Sequence, residues 1–179
     1  RFYSYDYWGY LASTFGNQVA VKNENGWYLN IQSSVFTQLK INLYADFCAY
    51  PWYRYRVSKS SKSIDLGLAL DYAIYNNQQL RLKVNYRATI RDIVGDKTKT
   101  QAPIKSYKIH SVYSRSIIQH VLSSKTMIDY IGVKAKQYES GHAFTQRFSY
   151  SSDFISCALQ YSYFHTPSFD TRIYIYENN

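Results

Sequence analysis

The sequence predicts an all-β protein: an antiparallel, up-and-down transmembrane β-barrel of about nine or ten strands, incomplete within this chain. Three observations carry that expectation. Apolar and polar residues alternate with a period of two over several consecutive segments, the pattern of a strand with one dry and one wet face. The connections between those segments alternate short and long, as in barrels whose turns gather on one side of a membrane and whose loops gather on the other. The composition is 46% apolar and 18% aromatic, with 21 tyrosines, so it is rich in β-formers and in rings with one polar tip.

Bulk properties agree. A chain of 179 residues suits one domain, taken here as 1–179. The mean hydropathy of -0.41 is low for a membrane protein, yet only every second residue of a barrel strand meets lipid. There is no run of 18 apolar residues, which excludes a transmembrane helix and leaves a strand-built span open. The net charge of +9 fixes the sign of a partner and not its identity: nucleic acid, anionic lipid or an acidic solute. Cys48 and Cys157 lie far apart and form neither a disulfide framework nor a metal-spaced set. The chain opens at Arg1 without a leader, so an export signal is expected to be removed or to lie upstream.

The elements follow in order. Residues 27–35 set Leu29 and Ile31 against Asn30 and Gln32, and a short turn is expected at 36–38. Leu39, Ile41, Leu43, Ala45 and Phe47 alternate with Lys40, Asn42, Tyr44 and Asp46, before a long loop at 50–63. Ile64, Leu66, Leu68, Leu70 and Tyr72 alternate with Asp65, Gly67, Ala69 and Asp71, before a tight turn at Asn76 and Asn77. The clearest strand, residues 80–91, sets Leu80, Leu82, Val84, Tyr86, Ala88 and Ile90 against Arg81, Lys83, Asn85, Arg87, Thr89 and Arg91. A long loop is expected at 92–105. Weaker strands fit 105–116, 125–137, 143–151 and 170–176, with connections at 119–124, 139–142, 151–153 and 166–170. Near the end, Ile155, Cys157, Leu159, Tyr161 and Tyr163 alternate with Ser156, Ala158, Gln160 and Ser162. Pro51, Pro103 and Pro167 are all expected in loops, where a missing N–H is harmless.

Two groups of residues are candidates for function. The polar faces carry Asp46, Asp65, Asp71, Arg81, Lys83, Arg87 and Arg91. Facing a lumen, they would either attract anionic solutes or neutralise one another. If Asp71 lies opposite Arg81, the same antiparallel register brings Asp65 opposite Arg87. The string Trp52, Tyr53, Arg54, Tyr55 and Arg56 could stack bases or sugars and pair phosphates, or could sit at the lipid headgroups as part of an interfacial girdle.

Several strings resemble the C-terminal barrel of the Bacteroidetes-type helix-hairpin-helix outer-membrane proteins. They are the run from Asn23 through Gly26 and Trp27 to Leu29; Tyr44, Ala45, Asp46 and Phe47 followed by Tyr50, Pro51, Trp52, Tyr53, Arg54, Tyr55, Arg56 and Val57; and Phe164, His165 and Thr166 with the run from Asp170 to Glu177. The resemblance implies an outer-membrane barrel, an upstream helix-hairpin-helix region linked to DNA and a closing strand after Glu177. It carries a DNA-binding role onto no residue of this chain.

Signatures of nucleotide-binding loops, nucleophile elbows and zinc proteases are missing from the sequence. His110, His120, His142 and His165 do not fall at ligand spacing. The expectation is a non-enzymatic barrel without cofactor or metal, in contact with outer-membrane lipid and open to an anionic solute or DNA, with a transport, anchoring or assembly role. Two alternatives stand beside it. A soluble basic β-domain binding nucleic acid or glycan would need no detergent, and a barrel enzyme would need histidine and acid at one rim, where His142 and Asp170 are the loop residues to watch.

Overall fold

A computed structural model describes residues 2–4, 23–54, 56–75, 77–94, 99–119 and 121–174. The expected residues Tyr55, Asn76, His120 and Glu177 lie outside this set.

Nine antiparallel strands form one sheet in chain order. They are β1 (Phe2–Tyr3), β2 (Glu24–Phe36), β3 (Leu39–Tyr50), β4 (Ser61–Tyr75), β5 (Gln78–Val94), β6 (Lys99–Ile118), β7 (Leu122–Lys134), β8 (Tyr138–Ser151) and β9 (Ser156–His165). Each strand from β2 onward pairs with the next through a hairpin, which is the up-and-down order the alternation predicts. Phe169–Thr171 adds one 3-10 turn. Among the described residues, no helix is long and apolar enough to cross a membrane, which says nothing of a span built from strands.

Register decides what each face carries. Leu43 pairs with Leu68 and Leu68 with Val84; Ile41 pairs with Leu70 and Leu70 with Leu82; Ala45 pairs with Leu66 and Leu66 with Tyr86. Leu39, Ile41, Leu43, Leu66, Leu68, Leu70, Leu82, Val84 and Tyr86 therefore share one face. The rows continue through Ile109 to Tyr130 on β6 and β7 and through Ile128 to Phe144 and Tyr163 on β7 to β9. The opposite face receives Asp46, Asp65, Asp71, Arg81, Lys83 and Arg87. A one-residue slip of any strand would exchange its two faces.

A repeated device closes the turn end. β2, β4 and β6 each shift register just before their turns, at Ser34/Phe36, Ala73/Tyr75 and Ser116/Ile118. The amide of Ala73 then donates to Gln38 O, that of Ser116 to Asn77 O and that of Ser151 to Val121 O, each at 2.8 Å. On β4 and β6 the donor sits at the register shift, whereas Ser151 on β8 makes the same contact without one; each bond satisfies a carbonyl of the neighbouring hairpin.

Four expectations are corrected. The span 92–105 is largely a β-hairpin arm: β5 and β6 stay paired from Ile90 and Pro103 to Val94 and Lys99, beyond the ends of their pairings with β4 at Thr89 and β7 at Lys105. Pro103 therefore lies in a strand. It is tolerated because β6 has a partner on only one side there. Residues 139–142 belong to β8, and the connection before it is 135–137. Residues 170–174 form no strand; the chain enters the 3-10 turn and an irregular segment instead. The strands β2 to β9 run to 10–20 residues, and β5 and β6 are the longest because they project beyond their neighbours.

Tyr44 and Gly67 face each other across β3 and β4. The Tyr44 ring lies over Gly67, so a Cβ at 67 would fall inside the ring's van der Waals envelope. From there the Tyr44 hydroxyl donates to Asp65 Oδ1 at 3.1 Å and accepts from Asn85 Nδ2. Gly67→Leu should displace the ring, break this bridge between three strands and destabilise the fold by about 1–3 kcal/mol, read as a lower urea midpoint at unchanged slope. An unaltered midpoint would show that the ring does not depend on this gap.

Candidate functional site

The site lies on the polar face, at the loop ends of the strands. In the middle of that face charges are matched. Asp71 pairs with Arg81, and Arg87 Nε lies 3.8 Å from Asp65 Oδ2, in the cross-strand register that alternation predicts. Asp46 faces Asp65 across β3 and β4. Lys83 stands opposite Ala69 and His110. His110 Nδ1 in turn lies 2.6 Å from Asp129 Oδ1 on β7. That pair was not anticipated, because histidine and acid are 19 residues apart and meet only once β6 and β7 are in register. Among the described residues, no hydroxyl or thiol hydrogen-bonds to His110.

Nearer the loop ends two segments fold over the polar face. The first is the 51–60 connection. Asn23, with φ of 55°, clasps Trp52 from both sides: Nδ2 donates to Trp52 O at 2.7 Å and the Trp52 amide donates to Asn23 Oδ1 at 2.8 Å. Arg54 and Val57 exchange backbone hydrogen bonds of 3.1 and 2.9 Å. The Asp92 amide donates to Arg56 O and the Ser58 amide to Asp92 Oδ2, both at 2.9 Å, which ties the loop to the β5 arm.

This geometry divides the aromatic-basic string. Trp52 and Tyr53 are exposed, with ring centroids 5.0 Å apart. Arg54 turns inward, stacks its guanidinium 4.0 Å above the Tyr50 ring and donates from Nη2 to Ile90 O at 3.1 Å. Its Nε is buried without a hydrogen-bond partner. Burial pulls the Arg54 guanidinium below its usual range, and the nearby charges of Arg87 and Arg91 push it the same way. Arg56 lines the same cavity. Trp52, Tyr53, Arg54 and Arg56 therefore do not present one continuous patch.

The second covering segment follows β9. Gly141 makes room for it: a Cβ there would lie 2.6 Å from Thr171 O and 3.3 Å from Ile131 Cγ2. Thr171 is fully buried, and its hydroxyl donates to Ser168 O at 3.1 Å. Asp170 reaches Arg91, with Oδ1 3.9 Å from Nη1. Arg172 stacks 3.5 Å above the Phe169 ring. His142, expected in a loop beside Asp170, instead lies on β8 on the apolar face, stacked with Tyr163 and His165.

Together the strands and the two covering segments enclose a cavity of about 940 Å³. Its cations are Arg54, Arg56, Arg87, Arg91, Lys108 and Arg172; its carboxylates are Asp65 and Asp170. Ile104, Ile131, Val133, Phe169 and Tyr174 supply apolar wall. Lys108 and Arg172 escaped sequence reasoning because neither lies in the clean alternation of β3 to β5. A smaller cavity of about 340 Å³ lies at the turn end beside Lys125 and Arg147. Among the described residues, no group of three or more histidine, cysteine or acidic side chains could hold a metal, and Cys48 and Cys157 form no disulfide.

Neither the family models, the curated proteins nor the solved structures compared with the chain match it.

Gly141→Val should push the 3-10 turn off β8 and break the Asp170 contact to Arg91. Trypsin cleavage at Arg172 should then accelerate severalfold with the sheet's circular dichroism unchanged. Equal cleavage rates in parent and variant would mean the segment does not depend on the gap at Gly141.

Proposed function

We propose that this chain is a β-barrel protein of a Gram-negative outer membrane, with a non-catalytic role in passing solutes along its polar face. The observation that carries the reading is the chemistry of the other face. Leu29, Ile31, Leu43, Leu66, Ile109, Ile128, Phe144 and Leu159 each keep more than a third of their surface exposed, and the register puts them all on one side of the sheet. The charges in register with that face are Lys62, Asp92, Lys105 and Lys134 towards the loop ends and Arg115 towards the turn end. Between them lies an uncharged band. Trp27, Phe47, Tyr86, Tyr107 and Tyr130 lie on its loop side, and Phe36, Tyr72, Tyr113 and Tyr150 on its turn side. Aromatic girdles around an apolar band are what a spanning barrel presents to headgroups and acyl chains.

Dimensions agree. On β5 the apolar residues run from Leu80 to Ile90, about 33 Å along the strand at about 3.3 Å per residue. At the usual tilt of about 40° this gives about 25 Å of height, the thickness of an outer-membrane apolar band. A soluble β-domain would have to leave that surface in water, where so large an apolar patch drives association. The likeness of the Tyr50 to Val57 string to helix-hairpin-helix outer-membrane proteins supports the same reading, and with it a link to DNA through an upstream region. The polar face, with water-sized space and arginines at its loop end, favours transport over pure anchoring.

The test is folding into lipid vesicles. The chain should require detergent or lipid to stay monomeric, and should insert with a heat-modifiable band on a denaturing gel. Leu68→Arg, at mid-strand on β4, should then cost about 2–4 kcal/mol. A chain monomeric in plain buffer, or a Leu68→Arg cost near zero in vesicles, would overturn the membrane reading.

A further inference from the structure

We propose that the loop-end cavity is a binding site for a small phosphorylated solute, held by Arg54, Lys108 and Arg172. This deepens the transport reading above and rests on it for the route by which the solute arrives.

Charge balance separates this cavity from the rest of the polar face. Lower down, acids have partners: Asp71 with Arg81, Asp65 with Arg87, and Asp129 with the imidazole of His110. Among the described residues that line the loop-end cavity, cations outnumber acids. Six cationic side chains and two carboxylates line the cavity, and those carboxylates already lie within 4 Å of Arg87 and Arg91. Among the described residues, no carboxylate lies within ion-pair distance of Arg54, Lys108 or Arg172. Arg54 has a buried Nε without an acceptor, a cost that persists unless a ligand or water meets it.

The donors also have the geometry of a phosphate site. Arg54 and Arg172 are pre-oriented by stacking on Tyr50 and Phe169, which lowers the entropy lost when a planar guanidinium fork closes on an anion. They reach the cavity from two covering segments, while Lys108 comes from the sheet. Converging donors from three directions suit the several oxygens of a phosphoryl group better than the two of a carboxylate. A volume of about 940 Å³ is at the upper end of the range for small-molecule sites, about 300–1,000 Å³. Phosphorylated lipid offers the same headgroup chemistry. The cavity, however, opens on the polar face, away from the apolar band, so the ligand is a solute.

The experiment titrates pyrophosphate into the folded 179-residue chain, in phosphate-free micelles, by calorimetry. It is repeated in phosphatidylcholine vesicles with and without phosphatidylglycerol. One pyrophosphate should bind per chain, with an affinity that falls as salt rises and does not change with anionic lipid. Arg172→Gln and Lys108→Gln should each weaken binding at least about tenfold, the loss of one charge-assisted hydrogen bond. Lys136→Gln, an exposed charge in the 135–137 connection, should leave binding unchanged. Folding of every variant is checked by the heat-modifiable band, and Arg172→Lys should restore part of the affinity. Three outcomes overturn the proposal: an inserted chain that gives no binding heat, an equal loss on Lys136→Gln, or binding abolished by phosphatidylglycerol, which would make lipid the ligand. A chain that fails to insert yet binds pyrophosphate with this variant pattern would support the site and overturn the membrane reading alone.

Discussion

The structure depends on the register of β4 against β5. With Asp71 opposite Arg81 and Asp65 opposite Arg87, Leu66, Leu68 and Leu70 fall opposite Tyr86, Val84 and Leu82. The ion pairs alone are too weak to impose this. Arg81 and Asp71 are each about half exposed, and such pairs contribute about 0–1 kcal/mol. The alternation is the stronger constraint, since a slip by one residue would carry five apolar side chains to the polar face and the charges to the apolar one. The charge pairs act as a finer selector, because a two-residue slip preserves the faces and is distinguished only by which acid meets which base. β3 and β6 pair against these two strands, and β2, β7, β8 and β9 follow through connections of two to four residues that leave little room for a shift.

What was legible in the sequence follows from that hierarchy. The faces of β3, β4 and β5, the turns after β2 and β4 and the Asp–Arg pairing could be read from period-two patterning, because every side chain there obeys one rule. The rule weakens from β6 onward. Ser111, Thr126 and Gln146 stand in the apolar rows, where Thr126 donates to Gln146 Oε1 at 2.6 Å and Gln146 to Ser124 Oγ at 2.9 Å. Polar side chains that satisfy one another can occupy such a face, and they blur the pattern that locates strand ends. The β5–β6 arm was hidden for another reason. Pro103 signals a loop in isolation, and only the absence of β7 beside it makes a strand acceptable there.

The loop-end cavity was the least legible part. Its residues come from two segments with no periodicity and from β4 to β7. The string from Trp52 to Arg56 suggested a surface patch because alternating aromatic and basic residues look equivalent in sequence. They are separated in space by Asn23, whose clasp on Trp52 fixes one end of the loop, and by the Arg54–Val57 bridge, which turns the guanidinium inward. The segment after β9 was read as a strand, but Gly141 offers the 3-10 turn a seat on the polar face. Long-range gaps of this kind leave no local signature.

The two ends of the sheet show how the membrane reading and the fold constrain one another. β2 pairs with β1 at Asn25 and Glu24, and among the described residues no strand pairs with its edge from Leu29 to Phe36 or with the outer edge of β9. Both strands are exposed along nearly all of their length. In hydrocarbon each unpaired backbone group costs several kcal/mol, and in water the same edges are templates for aggregation. An open edge on a strand that carries Leu29 and Ile31 on its apolar face is therefore unfavourable in either solvent. Such edges are stable when strands pair against both of them, and pairing β2 and β9 into one ring would make the apolar band continuous and the polar face a lumen. On the membrane reading proposed above, the alternation that sets the register of β4 and β5 would call for closure as well: a sheet with one face for lipid and one for water would satisfy its backbone as a barrel.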